Sequence, residues 1–197
     1  MLKTALVVLA AGKASRMGAV KQLLKIDGKP MVKSILETSL ETACYPIVAV
    51  LGAHKKGIQD EIKDLPITVI ENPNFEEGIG SSIVFGLIGA YMTSKEIDAI
   101  IFLTADQPQI SKNHIEKLIV TAENSNKNIV SSKFYGGFGI PALFKRFYFE
   151  EILTLKGDAG AKKLILKYKE DVVFVDFQDG NLDLDTPEDY QNYLNLN

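Results

Sequence analysis

The apolar run at residues 5–10 and the loop behind it constrain this chain more than any other feature. The run, Ala-Leu-Val-Val-Leu-Ala, has no polar position, as expected of a parallel strand buried on both faces. It passes directly into Ala11-Gly12-Lys13-Ala14-Ser15-Arg16-Met17-Gly18-Ala19-Val20-Lys21. Gly12 and Gly18 permit a tight turn that brings backbone N–H groups close to phosphate oxygens. Arg16 adds a planar fork of donors and Lys21 a point charge. Five residues separate the two glycines, and Lys21 comes three after Gly18. That spacing excludes a P-loop, and the Gly-x-Gly-x-x-Gly dinucleotide pattern is absent. The chain has two arginines, Arg16 and Arg146. One of them stands between the loop glycines, which argues against an ordinary solvated turn.

Periodicity beyond the loop alternates strand with helix. Asp27-Gly28-Lys29-Pro30 reads as a turn, and Pro30 opens a helix with Val32, Ile35, Leu36, Ser39, Leu40 and Ala43 on one stripe. Strands are expected at 47–51, 67–70, 98–103, 129–132, 141–144 and 172–175. Helices are expected at 56–63, from Ser81 or Ser82 to about Met92, after Ser111, opening through residues 157–162, and after Thr186. Gly136-Gly137-Phe138-Gly139 reads as a flexible crossing. Such alternation predicts an α/β fold with a mostly parallel sheet between two helix layers. The length of 197 residues fits one domain spanning 1–197.

Composition narrows the function classes. A net charge of −3 gives no electrostatic footprint for nucleic acid. No apolar run reaches the length of a membrane span. Met1-Leu2-Lys3 runs straight into the first strand, so no signal peptide is expected, and a cytoplasmic protein follows. The single cysteine, Cys44, gives neither a disulfide framework nor a zinc cluster and reads as a small buried hydrophobe at a helix end. His54 and His114 are expected on helical or loop surface, with structural roles.

Three further stretches carry polar chemistry. Asn72-Pro73 halts a strand, Gly78 and Gly80 loosen the backbone, and Ser81 or Ser82 caps the next helix. A helix start with free N–H groups and hydroxyls suits a polar ligand edge. Asp106 follows the nearly all-apolar strand 98–103, where open α/β sheets bind ligands. Near the end, Thr186 is an N-cap, Pro187 takes the first helical position and Asp189 the capping-box position. Asp183 and Asp185 alternate just before them and share one face, which is costly without a cation.

Ala-Ala-Gly, three residues, Arg-Met-Gly, two residues and Lys21 resemble the signature loop of nucleotidyltransferases related to molybdenum cofactor cytidylyltransferase. Asn72-Pro73 with Ser81-Ser82, Asp106, Gly139-Ile140-Pro141, Gly157-Asp158-Ala159-Gly160-Ala161-Lys162 and Asp185-Thr186-Pro187 resemble further segments of that family in the same order. Ala14 stands where the family usually has Ser, Ile140 where a polar residue is frequent, and Lys162 where it has Arg.

The resemblance implies the three-layer αβα nucleotidyltransferase fold (GT-A or Rossmann-like). It implies nucleotide contacts from Ala10, Ala11, Gly12, Arg16, Gly18, Lys21, Asn72, Ser81 and Ser82. Arg16, Lys21 and Asp106 become the catalytic residues, and Asp106 with Asp185 the Mg²⁺ ligands. The implied reaction moves CMP from CTP to the phosphate of molybdenum-bearing molybdopterin, with release of pyrophosphate. A molybdoenzyme or its chaperone is the kind of protein partner this allows. Transfer to a sugar phosphate or methylerythritol phosphate, and a binding module that performs no transfer, stay open alternatives.

Overall fold

The computed structural model describes residues 1–13, 19–177, 184 and 186–196. In chain order the elements are β1 (Thr4–Ala10), β2 (Lys25–Ile26), β3 (Lys29–Pro30), α1 (Met31–Leu40), β4 (Ile47–Leu51), α2 (Lys55–Ile62), β5 (Thr68–Glu71) and α3 (Ile79–Thr93). They continue with β6 (Ala99–Thr104), α4 (Lys112–Asn124), β7 (Ile129–Phe134), β8 (Gly137–Lys145), α5 (Phe149–Leu153), α6 (Ala161–Lys167), β9 (Val172–Asp176) and α7 (Pro187–Leu196). Seven strands form one sheet in the order β5-β4-β1-β6-β8-β7-β9. Every pairing is parallel except the two made by β8. β2 and β3 form a separate small ribbon.

All seven residues of β1 are buried. Leu6, Val8 and Ala10 pack toward α1, α2 and α4, while Ala5, Val7 and Leu9 pack toward α3, α5 and α6. Each large apolar side chain so buried contributes about 1.5–3 kcal/mol. The continuous apolar run is thus explained: β1 has helices on both sides and no wet face. On one side α3 lies directly on β1. A Cβ at Gly86 would stand 2.5 Å from Val7 Cγ1, so only a residue without a side chain fits. This close approach brings the first turn of α3 to the carboxyl end of the sheet.

The αβα architecture with a mostly parallel mixed sheet is the one expected, and several local details differ. The helix opened by Pro30 ends at Leu40, so Ala43 is exposed rather than on the buried stripe, and Cys44 follows a turn rather than a helix. Cys44 is buried all the same, and burial pushes its thiol up from the ordinary range. Neither Ser81 nor Ser82 caps α3. Gly78, at φ +106°, occupies the cap position, and the serines lie inside the first turn. Gly136-Gly137 belongs to a tight hairpin between β7 and β8 rather than a flexible crossing, because both strands run longer than their apolar centres. Tyr190, Tyr193 and Leu194 of α7 are expected to face inward from the helical spacing; the two tyrosines are partly buried against the core, whereas Leu194 is 40% exposed. The capping box at Thr186 and Asp189 is formed: the Thr186 N–H donates to Asp189 Oδ2 (2.8 Å) and the Asp189 N–H to Thr186 Oγ1 (3.1 Å). No helix among the described residues is long and apolar enough to cross a membrane.

Candidate active site

A cleft of about 290 Å³ opens at the carboxyl ends of β1 and β6. Leu9, Ala11 and Gly12 line it from the end of β1, and Thr104, Ala105 and Asp106 from the end of β6. Lys21 and Gln22 form another wall, and Phe75, Gly78, Ile79 and Ser82 face them. The site therefore sits where a parallel sheet leaves its strand ends open to ligand.

Lys21 is brought to Asp106. Its ammonium lies 2.9 Å from Asp106 Oδ2, with the two side chains 8% and 31% exposed. Lys21 is counted with the phosphate-binding loop in the sequence, but a one-turn 3-10 helix, Lys21–Leu23, turns it inward. Asp106 Oδ1 is buried and takes no hydrogen bond from the described residues. A carboxylate oxygen buried in that way suits a cation.

Gln22 was not among the residues expected at the site. Its amide donates to Gly12 O (3.0 Å) and more weakly to Ala10 O (3.4 Å), pinning the end of β1 where the loop departs. The Ala53 N–H reaches Ala11 O at 3.2 Å, and a Cβ at Gly52 would stand 2.6 Å from that same oxygen. Ala11 is thus held against β4 with its backbone close to Gly52. A polar residue beside Lys21 in an otherwise apolar stretch was the available signal for Gln22.

Opposite, Asn72 is fully buried behind the serines. Its amide donates to Ser81 Oγ (2.9 Å) and Ser82 Oγ (3.0 Å), and its Oδ1 accepts from the Asn74 N–H (2.9 Å). Ser81 Oγ lies within hydrogen-bond distance of Asn74 O and Gly78 O. Ser82 Oγ accepts from Asn72 and lines the cleft. Asn72 and Ser81 act here as scaffold behind Ser82. Gly157 and Asp158 brace this turn from outside. The Gly80 N–H donates to Gly157 O at 3.0 Å, and a Cβ at Gly78 would meet Gly157 C at 2.4 Å.

Arg16, Gly18, Asp183 and Asp185 lie outside the described residues. Their neighbour Leu184 is fully buried, and its N–H approaches Asp106 O at 3.5 Å.

The family model for the MobA-like NTP transferase domain matches residues 6–172. The chain belongs to this family. Among relatives, purine catabolism protein PucB of Bacillus subtilis is 33% identical, over 93% of this chain and 92% of that one. Nicotine blue oxidoreductase of Paenarthrobacter nicotinovorans is 28% identical over 92% of each chain. A molybdenum cofactor guanylyltransferase of Vibrio atlanticus is 26% identical over 98% of this chain and 97% of its own. Among solved structures, the manganese complex of Rv0371c from Mycobacterium tuberculosis superposes with a TM-score of 0.81 at 23% identity, covering 98% of both chains. The relatives' names differ in activity.

In this MobA-like protein the remaining expected segments, 139–141 and 157–162, do not line the cleft and reach it through neighbours that do. Lys162 reaches over the Phe138 ring (5.6 Å), near the tip of the β7–β8 hairpin. Gln107, next to Asp106, donates to Ile140 O at 3.5 Å and so ties the Asp106 loop to Gly139-Ile140-Pro141. The histidines differ. His54 is partly exposed, with Nε2 3.3 Å from Lys13 O. His114, expected on the surface, is buried. It stacks on Phe177 at 4.1 Å, with Nε2 2.7 Å from Ser132 Oγ.

Proposed function

We propose that this MobA-like nucleotidyltransferase transfers CMP from CTP to the phosphate of molybdopterin carrying molybdenum, releasing pyrophosphate. The observation that carries the reading is the Lys21–Asp106 pair at the mouth of the cleft. A cation and a carboxylate at one strand-end site are the groups that a triphosphate and its divalent metal need.

The acceptor phosphate oxygen attacks the α-phosphorus in line, and the pyrophosphate oxygen departs. Such a reaction is driven by positioning and by neutralising charge, without a covalent nucleophile. Lys21 would turn its ammonium from Asp106 to the phosphate oxygens. Arg16 and the backbone of Ala10, Ala11, Gly12 and Gly18 would hold the triphosphate with it. Ser82 would donate to the nucleoside, positioned by Asn72 and Ser81.

The buried Oδ1, without a partner among the described residues, fits Asp106 to hold Mg²⁺, and Asp185 is proposed as the second ligand. The metal, when bound, would neutralise phosphate charge. A manganese complex exists for a structure with the same fold, which is in keeping with use of a divalent ion.

The molybdenum cofactor guanylyltransferase relative supports the acceptor class. Preference for CTP over GTP rests on Ala11. The family resemblance implies that relatives using GTP have Ala-Gly-Gly where this chain has Ala10-Ala11-Gly12, and the Ala11 methyl would narrow the space for a base. The test is pyrophosphate release with each of the four triphosphates, against molybdopterin, a sugar phosphate and methylerythritol phosphate. CTP with molybdopterin should be fastest. Release with another acceptor alone would move the assignment to that acceptor, and binding without release would make the chain a binding module.

A further inference from the structure

Among the described residues that line the cleft, Lys21 and Asp106 are the only charged ones, and their charges cancel. Lys21 Nζ holds Asp106 Oδ2 at 2.9 Å, while Oδ1 of the same carboxylate is buried and takes no hydrogen bond from the described residues. The Lys21 side chain is 8% exposed, so its ammonium is largely stripped of water and depends on protein oxygens. Backbone anchors both ends of the pair. The Leu23 N–H donates to Val20 O (2.9 Å) and the Leu24 N–H to Lys21 O (3.1 Å), which closes the one-turn helix at Lys21. The Ala105 N–H donates to Leu9 O (3.1 Å), which ties the residue before Asp106 to the end of β1. The pair therefore opens by rotation of the flexible Lys21 stem rather than by parting of the two segments.

A cation on Oδ1 would share one carboxylate with the ammonium on Oδ2. Like charges so close, in a site shielded from water, repel strongly. In the empty cleft Asp106 is thus already neutralised, and a divalent ion reaching it meets a fixed positive charge. A triphosphate reverses this. Its oxygens offer Lys21 more negative charge than one carboxylate does, and the ammonium that turns to them leaves Asp106 bare. Bare, Asp106 has two oxygens for a divalent ion, and that positive charge in turn favours the triphosphate. Each ligand removes the obstacle to the other, which is positive coupling in the thermodynamic sense.

We propose that Lys21 is an internal counter-ion that guards Asp106, so that the cleft takes a divalent ion tightly at Asp106 only together with a triphosphate. Exclusion of the ion by Lys21 stands on the ion pair alone. The identity of the anion that lifts it rests on the nucleotidyltransferase reading.

The test is Mn²⁺ binding to the full chain without nucleotide, read by calorimetry or by the electron paramagnetic resonance signal of the free ion. Lys21→Met should bind Mn²⁺ about tenfold or more tightly than wild type, a usual size for coupling between sites. Lys21→Arg, which keeps the charge, should stay near wild type. Lys13 pairs with Glu76 and lies over the Phe75 ring of the cleft wall (5.7 Å), so Lys13→Met reports the loss of a nearby charge alone. It should change Mn²⁺ affinity by about twofold at most, because that exposed charge is screened. Adding Asp106→Asn to Lys21→Met should abolish the gain, which locates the ion at that carboxylate. With α,β-methylene-CTP present, which cannot be transferred, Mn²⁺ should tighten on wild type by a larger factor than on Lys21→Met, since chelation by the nucleotide is common to both. Equal affinity of wild type and Lys21→Met, an equal gain from Lys13→Met, a gain that survives Asp106→Asn, or equal tightening by the analogue would overturn the proposal. Should Lys21→Met not fold, Lys21→Gln carries the same readouts with the same outcomes. If wild type binds no triphosphate and releases no pyrophosphate, the proposed function fails, and nucleotide-free Mn²⁺ binding alone decides whether Lys21 excludes the ion. If transfer proceeds and Lys21→Met shows no gain, the function stands and the guard falls.

Discussion

Lys21 Nζ stands 2.9 Å from Asp106 Oδ2, which joins residues 85 positions apart across the open end of the sheet. Both belong to segments that leave neighbouring parallel strands, β1 and β6, so the pairing follows from sheet order. A charge-assisted contact of this kind is strong while the cleft holds no other anion. An entering triphosphate competes with Asp106 for the ammonium.

Lys21→Ala should therefore lower kcat for pyrophosphate release by about 10²-fold or more, equivalent to ~3 kcal/mol of lost transition-state contact. It should also cost stability, because it leaves the Asp106 carboxylate without its ion pair, by about 1–3 kcal/mol. Steady-state kinetics and urea unfolding measure the two effects. A variant with wild-type kcat would remove Lys21 from the chemistry.

Gly78→Ala tests the brace under α3. At φ +106° an L side chain is strained, and its Cβ would stand 2.4 Å from Gly157 C. Strain and backbone displacement together should cost about 3 kcal/mol or more, read as a fall in the urea midpoint. The variant should also weaken nucleotide binding, because Ser82 lies in the first turn of that helix. Unchanged stability would mean that the 157–158 loop yields freely.

The pH dependence of stability should carry the signature of His114. Burial chiefly, with Lys117 adding repulsion, pushes its pKa down to about 4. Between about 6.5 and 4 the unfolded chain then binds the extra proton and the folded chain does not. Stability from this residue is full above pH 6.5 and declines as pH falls toward 4. His114→Gln should lose that slope while keeping a donor toward Ser132. Urea midpoints of both proteins from pH 4.5 to 7.5 decide it, and parallel curves would contradict the assignment.

Ala11→Gly should relax nucleotide choice toward GTP. Ala11 is 4% exposed and lies on the cleft wall against Gly52. A single methyl group discriminates by only ~1–3 kcal/mol, so a shift of preference is expected and not a switch. Competition between CTP and GTP at fixed Mg²⁺ and acceptor measures it. A wild type that already prefers GTP tenfold would show that Ala11 does not set the choice.

Much of the fold was legible because β1, β4 and β6 are nearly continuous apolar runs, a pattern that a buried parallel strand produces. Asp106 was legible for the same reason, as the first acidic residue past such a run. The placement of Lys21 was not, since the inward turn of Lys21–Leu23 depends on Gln22 reaching Gly12 O across space. Ser81 and Ser82 look like caps in sequence, yet Gly78 takes the cap because Gly157 packs against it. His114 carries no sequence mark of burial. Its environment is made by Ser132 of β7 and by Phe177 just past β9, both later in the chain.

Metal-supported nucleotidyl transfer at the Lys21–Asp106 cleft stands or falls on pyrophosphate release from CTP and acceptor as a function of Mg²⁺ concentration, for wild type and Asp106→Asn. The substitution keeps size but removes the charge that faces the buried Lys21 ammonium, so the urea midpoint is measured alongside and activity is compared only under conditions where the variant is folded. The expected result is saturable Mg²⁺ activation in wild type and a loss of about 10²-fold or more in the variant at every Mg²⁺ concentration. Equal activity of a folded Asp106→Asn, or wild-type release that ignores Mg²⁺, would contradict metal-supported transfer at this site.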